Sequence, residues 1–244
     1  LAGVASILEA GEVNGDSLMN HLLDLWRENL LVEREPSTSE VMRRAATGFS
    51  SRRECALEVG EADAAPLPRA VAVALWDHQD SAKLREDAGV SARITHRDPR
   101  VIACSAGAAA AVATGLVTTE LHLGAFLDNV AAAVGSQEPA LHEIVLDFPR
   151  VLSVNEQRAF RRFEAICLDD SYPPSADGLS DYCIPAFCTA VYCFLRSPYN
   201  YERAVDSCLR AGGQIHVAAM LAGAMCGALV GESGIPCRLV KGLL

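Results

Sequence analysis

Residues 194–236 read FLRSPYNYERAVDSCLRAGGQIHVAAMLAGAMCGALVGESGIP. A helical pattern capped by Asn200 ends at Leu209-Arg210-Ala211, and Gly212-Gly213 makes the turn. A second helix is predicted from about Gln214 to Gly231. Along it Gly223, Gly227 and Gly231 recur every four residues, with Ala219, Ala222, Ala224 and Ala228 around them. Residues four apart share a helix face, and so small a face lets neighbouring backbones come close. This helix is therefore expected at the centre of a helical body.

The rest of the chain agrees with a helical fold. Half of its 244 residues are hydrophobic and only 6% are aromatic, so alanine, leucine and valine must supply most of the core. No stretch alternates apolar and polar residues for long, and no hairpin dipeptide separates β-branched runs. An all-α, compact orthogonal bundle filling 1–244 as a single domain follows. The formal net charge of -10 argues against a nucleic-acid or anionic-membrane surface. Nine cysteines without a Cys-x-x-Cys pair read as buried thiols in a reducing cytoplasm. The apolar segments Val101–Val117 and Val217–Val230 read as core helices rather than membrane spans.

Taken in order, Leu1 to Ala10 reads as the tail of a buried helix. Asp16 is the expected cap of the next. Ser37 with Glu40 forms a capping box for a short helix through Ala46 that Gly48 ends. Residues 50–68 are irregular and charged, and a surface loop is expected. Asp80 or Ser81 caps a charged helix that Gly89 closes. Thr95-His96-Arg97-Asp98-Pro99 leads into the long alanine-rich helix. Helices are expected at about Thr119–Val134 and Pro139–Leu146. Ser153 with Glu156 starts one carrying Phe160, Phe163, Ile166 and Cys167, and residues 169–178 form a connector. There is no nucleophile elbow around Ser105, no P-loop and no dinucleotide fingerprint.

The order helix, Gly-Gly turn, small-residue helix, Gly-x-x-x-Ile-Pro resembles the C-terminal signature of the ADP-ribosylglycohydrolases. In that family the turn reads Gly-Gly-Asp-Thr-Asp-Thr, and its aspartates and last threonine hold two magnesium ions. Here the four positions after the glycines are Gln214, Ile215, His216 and Val217. The resemblance extends upstream. Ser180-Asp181-Tyr182 to Phe187 resembles the segment before a pocket-closing helix. Thr95-His96 resembles a Thr/Ser-His pair whose histidine faces the substrate. Arg69 stands where the family has the arginine of Gly-Asn-Gly-x-x-Met-Arg, but Pro66 and Pro68 remove two amide donors there.

The resemblance implies a reaction, hydrolysis of the glycosidic bond joining ADP-ribose to a modified side chain. It implies ADP-ribose or an ADP-ribosylated protein as partner. Candidate substrate contacts are Arg69, His96, Tyr182, Gly212 and Gly213, and no catalytic residue is assigned. Each candidate has a plainer reading beside it. His96 can be an exposed first-turn residue beside a Thr95–Asp98 capping box, Tyr182 a packed tyrosine, and Gly212-Gly213 an ordinary turn rather than a phosphate seat. No Thr-Asp-Asp run is present, and Gln214, His216 and Val217 are poor magnesium ligands. The expectation is an ADP-ribosylglycohydrolase-like pseudoenzyme that retains no magnesium cofactor and has impaired or lost catalysis. Two alternatives stand: a hydrolase with rebuilt ligands, His96 and His216 joined by Asp98 or Asp181, and a non-enzymatic scaffold. The chain is also expected to lack the family's N-terminal segment, because Leu1 falls inside a helical pattern.

Overall fold

The computed structural model describes residues 1–31, 36–47, 52–135, 138–165, 172–173 and 175–241. Four helices, α1 (Ala2–Ala10), α2 (Gly15–Arg27), α3 (Pro36–Ala46) and α4 (Arg52–Cys55), lie round a small apolar cluster that Leu57 and Ile94 complete. Leu18, Met19 and Leu22 of α2 meet Val41 and Met42 of α3 there. The larger body begins with the 3-10 turn Leu67–Arg69 and α5 (Ala70–Asp77), followed by α6 (Ser81–Arg93) and α7 (Pro99–Val117). It continues through α8 (Leu123–Val134), α9 (Pro139–Leu146), α10 (Phe148–Val151), α11 (Glu156–Ala165) and α12 (Cys183–Arg196). The chain finishes with α13 (Tyr201–Leu209), α14 (His216–Val230), a 3-10 turn at Glu232–Gly234 and α15 (Cys237–Val240). Among the described residues there is no strand, only three isolated bridges.

The centre of the body is α12 with α7. Every residue of α12 from Cys183 to Phe194 is buried, and α12 touches α7, α11, α13 and α14. Its few aromatics fill the gaps between small residues. Phe194 packs on Phe126 at 5.4 Å between ring centres, and Tyr192 meets Phe163 edge-on at 6.0 Å. Helix α7 is long and apolar enough to cross a membrane by length and composition, but 72% of its most apolar window is buried against its neighbours. The close backbone approach falls at Gly115, where an added Cβ would sit 3.2 Å from the Met225 carbonyl of α14.

Helix α14 joins that centre, packed between α7, α12 and α13. Its inner face, Val217, Leu221, Ala222 and Met225, covers α7 and α12. Its glycine face turns the other way, and Gly223 receives the Tyr201 ring of α13. A period of four shows that a face is narrow but not which neighbour fills it.

Several local expectations change. Helix α1 is peripheral, with Leu1 and Leu8 exposed. Asn14, not Asp16, caps α2, its Oδ1 accepting from the Asp16 and Ser17 amides at 3.0 Å. Helix α3 already begins at Pro36, so Ser37 and Glu40 lie within it, and Glu40 instead pairs with Arg43 and Arg44. Gly89 lies inside α6, which Asp80 caps. Asn155 supplies the side-chain cap of α11 through the Arg158 amide, while Ser153 bonds back to the Arg150 carbonyl. Asp98 is itself the cap of α7, with Pro99 at the first helical position. Gly48, Ile166 and Cys167 lie outside the described residues.

The Gly212-Gly213 turn is fixed by contact with residues 177–179. Gly213 has φ +66°, and a Cβ there would lie 2.3 Å from the Leu179 carbonyl oxygen. Gly213→Ala should therefore cost at least about 2 kcal/mol, from left-handed backbone strain plus the clash. Gly124→Ala, where nothing lies within 4 Å, should be neutral or stabilise by up to about 1 kcal/mol. Urea unfolding of the two variants separates these outcomes.

Candidate functional site

Three bridges bring the residues that precede four helical starts into one corner. Leu57 pairs with His96, Asp63 with Tyr182, and Leu179 with Gly213. The expected surface loop at 50–68 runs inward to make two of them, and Ala62, Asp63, Ala64 and Leu67 are buried. Burial is possible because its backbone is satisfied. Ala64 N donates to the Asp181 carbonyl at 2.8 Å, and Cys183 N donates to that of Ala62 at 2.9 Å.

A chain of buried polar groups crosses this corner. Asp63 Oδ2 lies 3.0 Å from His96 Nε2, and His96 Nδ1 lies 2.9 Å from Thr95 Oγ1. Arg69 Nη2 donates to the same hydroxyl at 2.5 Å. One donor order satisfies every member: Arg69 to Thr95, Thr95 to Nδ1, and Nε2–H to the Asp63 carboxylate. The Ala65 amide donates to the other Asp63 oxygen at 2.9 Å. Burial works to raise the Asp63 pKa, but the hydrogen bonds from His96 and the Ala65 amide outweigh it, so the carboxyl sits below its usual range. Burial pushes the Arg69 guanidinium down to about 10, with Asp63 opposing. Burial and the nearby Asp63 charge raise Asp181.

The residues singled out from sequence come together here, mostly under cover. His96 is fully buried, so it is not an exposed first-turn residue. Tyr182 is also buried and stacks on Tyr172 at 5.1 Å, while its hydroxyl accepts from Arg100 at 3.2 Å. The Tyr172 hydroxyl accepts from Ala62 N at 2.6 Å. Nothing in the connector's Pro and Gly pattern singled out Tyr172, although a lone aromatic there was the available signal. The glycines face Leu179: its amide donates to the Gly212 carbonyl at 3.0 Å, and Gln214 N donates to its carbonyl at 2.7 Å.

Gln214, His216 and Val217 border a small void together with Asp63 and Asp181. It encloses about 10 Å³, the scale of one water molecule. A magnesium pair needs roughly six oxygens per ion. The corner offers one amide oxygen, the Asp181 carboxylate, and an Asp63 carboxylate already taken by His96 and Ala65. These residues do not fit a dinuclear magnesium site. Nor do His96 and His216 form the rebuilt ligand set: His96 spends both ring nitrogens on Thr95 and Asp63, and Asp98 is held by Arg100 and the Gly60 amide. Among the described residues no three His, Cys, Asp or Glu side chains are grouped to hold a metal.

Removing the Asp63 charge should expose how much the corner depends on it. Asp63→Asn is expected to cost about 3 kcal/mol at pH 7, because it uncouples a buried pair. The folded Asp63 pKa is depressed, so its contribution is fully present above about pH 4 and is lost as pH falls through the folded value. Urea unfolding between pH 7 and pH 3 should show a shallower acid decline in Asp63→Asn than in the wild type. Parallel declines would contradict the assignment.

No curated protein matches the chain. A solved structure named "ADP-ribosylglycohydrolase-related protein complex" shares the fold, with a TM-score of 0.70 and 20% identity over 98% of this chain and 72% of that one. The family model described as ADP-ribosylglycohydrolase matches residues 1–244. The chain belongs to the ADP-ribosylglycohydrolase family.

Proposed function

We propose that this protein is an ADP-ribosylglycohydrolase family member in which magnesium-dependent hydrolysis is lost or strongly impaired, and that its remaining activity is ADP-ribose binding. One observation carries the first half: the space beside Gln214, His216 and Val217 holds about 10 Å³ and lacks a set of free carboxylates. A ribose diol and an attacking water need metal-bound oxygens to orient and activate them. An amide, an imidazole and an isopropyl group do not supply that charge. The family relation supports the second half, and Arg69, Thr95 and His96 form one connected chain with Asp63, whose backbone bridges Tyr182.

A second reading has its own support. His96 and Tyr182 are sealed from solvent, as a scaffold in which only the packing survives would have them. Calorimetry with ADP-ribose separates the two: heat and a raised Tm support binding, and neither supports the scaffold.

Catalysis is tested by turnover of ADP-ribosyl-arginine and ADP-ribosyl-serine substrates with magnesium or with a chelator. The expected rate equals the enzyme-free rate in both conditions. Turnover that a chelator abolishes would overturn the proposal.

A further inference from the structure

Helices α5 and α6 are joined by the short turn 78–80, and two carboxyl groups are buried beside it. Asp77 ends α5 and is 6% exposed, and Asp87, in the second turn of α6, is 9% exposed. Lys83 Nζ lies between them. It donates to Asp77 Oδ1 at 2.8 Å and to Asp87 Oδ2 at 2.6 Å. Lys83 and Asp87 are four apart and share a face of α6, which Asp77 reaches from α5.

The charges do not balance. One ammonium faces two carboxyl groups, so with both ionised the cluster keeps a buried negative charge. The unmet atom is identifiable. Asp77 Oδ2 is buried, and no described residue donates to it. The Asp87 carboxyl lies within hydrogen-bonding reach of Asp77. Two ionised carboxylates at that range repel, and neither has a donor to offer. A single proton removes both faults: it turns one acceptor into a donor and brings the three groups to zero net charge.

The other charges around the turn are engaged or turned away. His78 Nδ1 lies 3.2 Å from the Leu75 carbonyl, and Asp80 caps α6. Arg85 and Glu86 of α6 are exposed. Helix α7 packs on both helices, and its ionisable side chains, Arg100 and Cys104, lie in its first two turns. Helix α1 brings Glu9, which pairs with His21 of α2, and the 3-10 turn brings Arg69, which Thr95 holds. Helix α2 meets α6 at its other end, where Gly15 faces Val90 and Ile94. Burial raises the Asp77 pKa, and the Asp87 carboxyl adds to the rise against the pull of Lys83.

We propose that Asp77 and Asp87 share one proton, held on Asp77, and form with the Lys83 ammonium a neutral clasp between α5 and α6 that weakens when the proton leaves for water. The folded Asp77 value is raised, so the clasp's contribution is fully present below the unfolded value of about 4 and is lost as pH rises through the folded value. That is the opposite sense to Asp63. The clasp stands apart from the Gln214 corner, at the far ends of the two helices that Arg69 precedes and Thr95-His96 follows.

Asp77→Asn is the test, because its amide keeps an acceptor for Lys83 and gives Asp87 a permanent donor. Thermal unfolding of the full chain and of this variant is compared across pH 4–9. The variant's Tm relative to wild type should climb with pH and match or exceed wild type at pH 8. A folded variant less stable than wild type at pH 8, or a difference that does not climb with pH, would overturn the proposal. Carbon-detected NMR of the wild-type side-chain carboxyls gives a second reading that needs no variant. Asp77 should titrate above the ordinary carboxyl value of about 4, and the Asp87 carbon should shift over the same pH interval. Titration of Asp77 at or below that value, or an Asp87 carbon that ignores it, would equally count against the clasp. If Asp77→Asn fails to fold, the carboxyl titration decides alone. None of these outcomes alters the chelator test of hydrolysis.

Discussion

The Asp63–His96 pair is the constraint on which the rest of the corner depends. A buried carboxylate is tolerated only when its charge and lone pairs are met. Here an imidazole meets one oxygen and the Ala65 amide the other. Meeting them pulls residues 62–65 inward against the start of α12 and holds Thr95-His96 at the start of α7. Arg69 then closes the far end of the chain through the Thr95 hydroxyl. A carboxylate committed in this way has little left to give a metal.

The second constraint is steric and lies in the backbone. Leu179 sits between Gly212 and Gln214, hydrogen-bonded to both, at a separation only glycine allows. This contact orients the first turn of α14 and places Gln214, His216 and Val217 around the small void. Where the resemblance implies aspartates, the turn presents Gln214, His216 and Val217. Val217 belongs to the core shared with α7 and α12, and Leu179 holds the Gln214 amide, so these positions are part of the packing.

Much of the fold was legible in the sequence because it follows from spacing. The boundaries of α9, the cap at Asn200 and the turn at Gly212 all depend on residues close in sequence. The errors came where a distant partner decides the outcome. Residues 50–68 looked exposed because their charges were counted without Asp181 and Cys183, whose backbones let 62–64 be buried. The plainer reading of His96 as an exposed first-turn residue fails, because Asp98 caps α7 itself and Thr95 serves the histidine. Tyr172 gave no pattern at all, since its role arises from Ala62, 110 residues away. The candidates Arg69, His96 and Tyr182 were legible only through family resemblance. The structure places the three round Asp63, a residue that spacing did not reveal.

The central claim is that the corner at residues 214–217 does not seat a pair of divalent cations. Diffraction from crystals soaked in manganese, collected for anomalous signal, tests it most directly. The account predicts no anomalous peak within coordination distance of Gln214, His216 or Asp181. Two peaks about 3.5–4 Å apart beside these residues would contradict it.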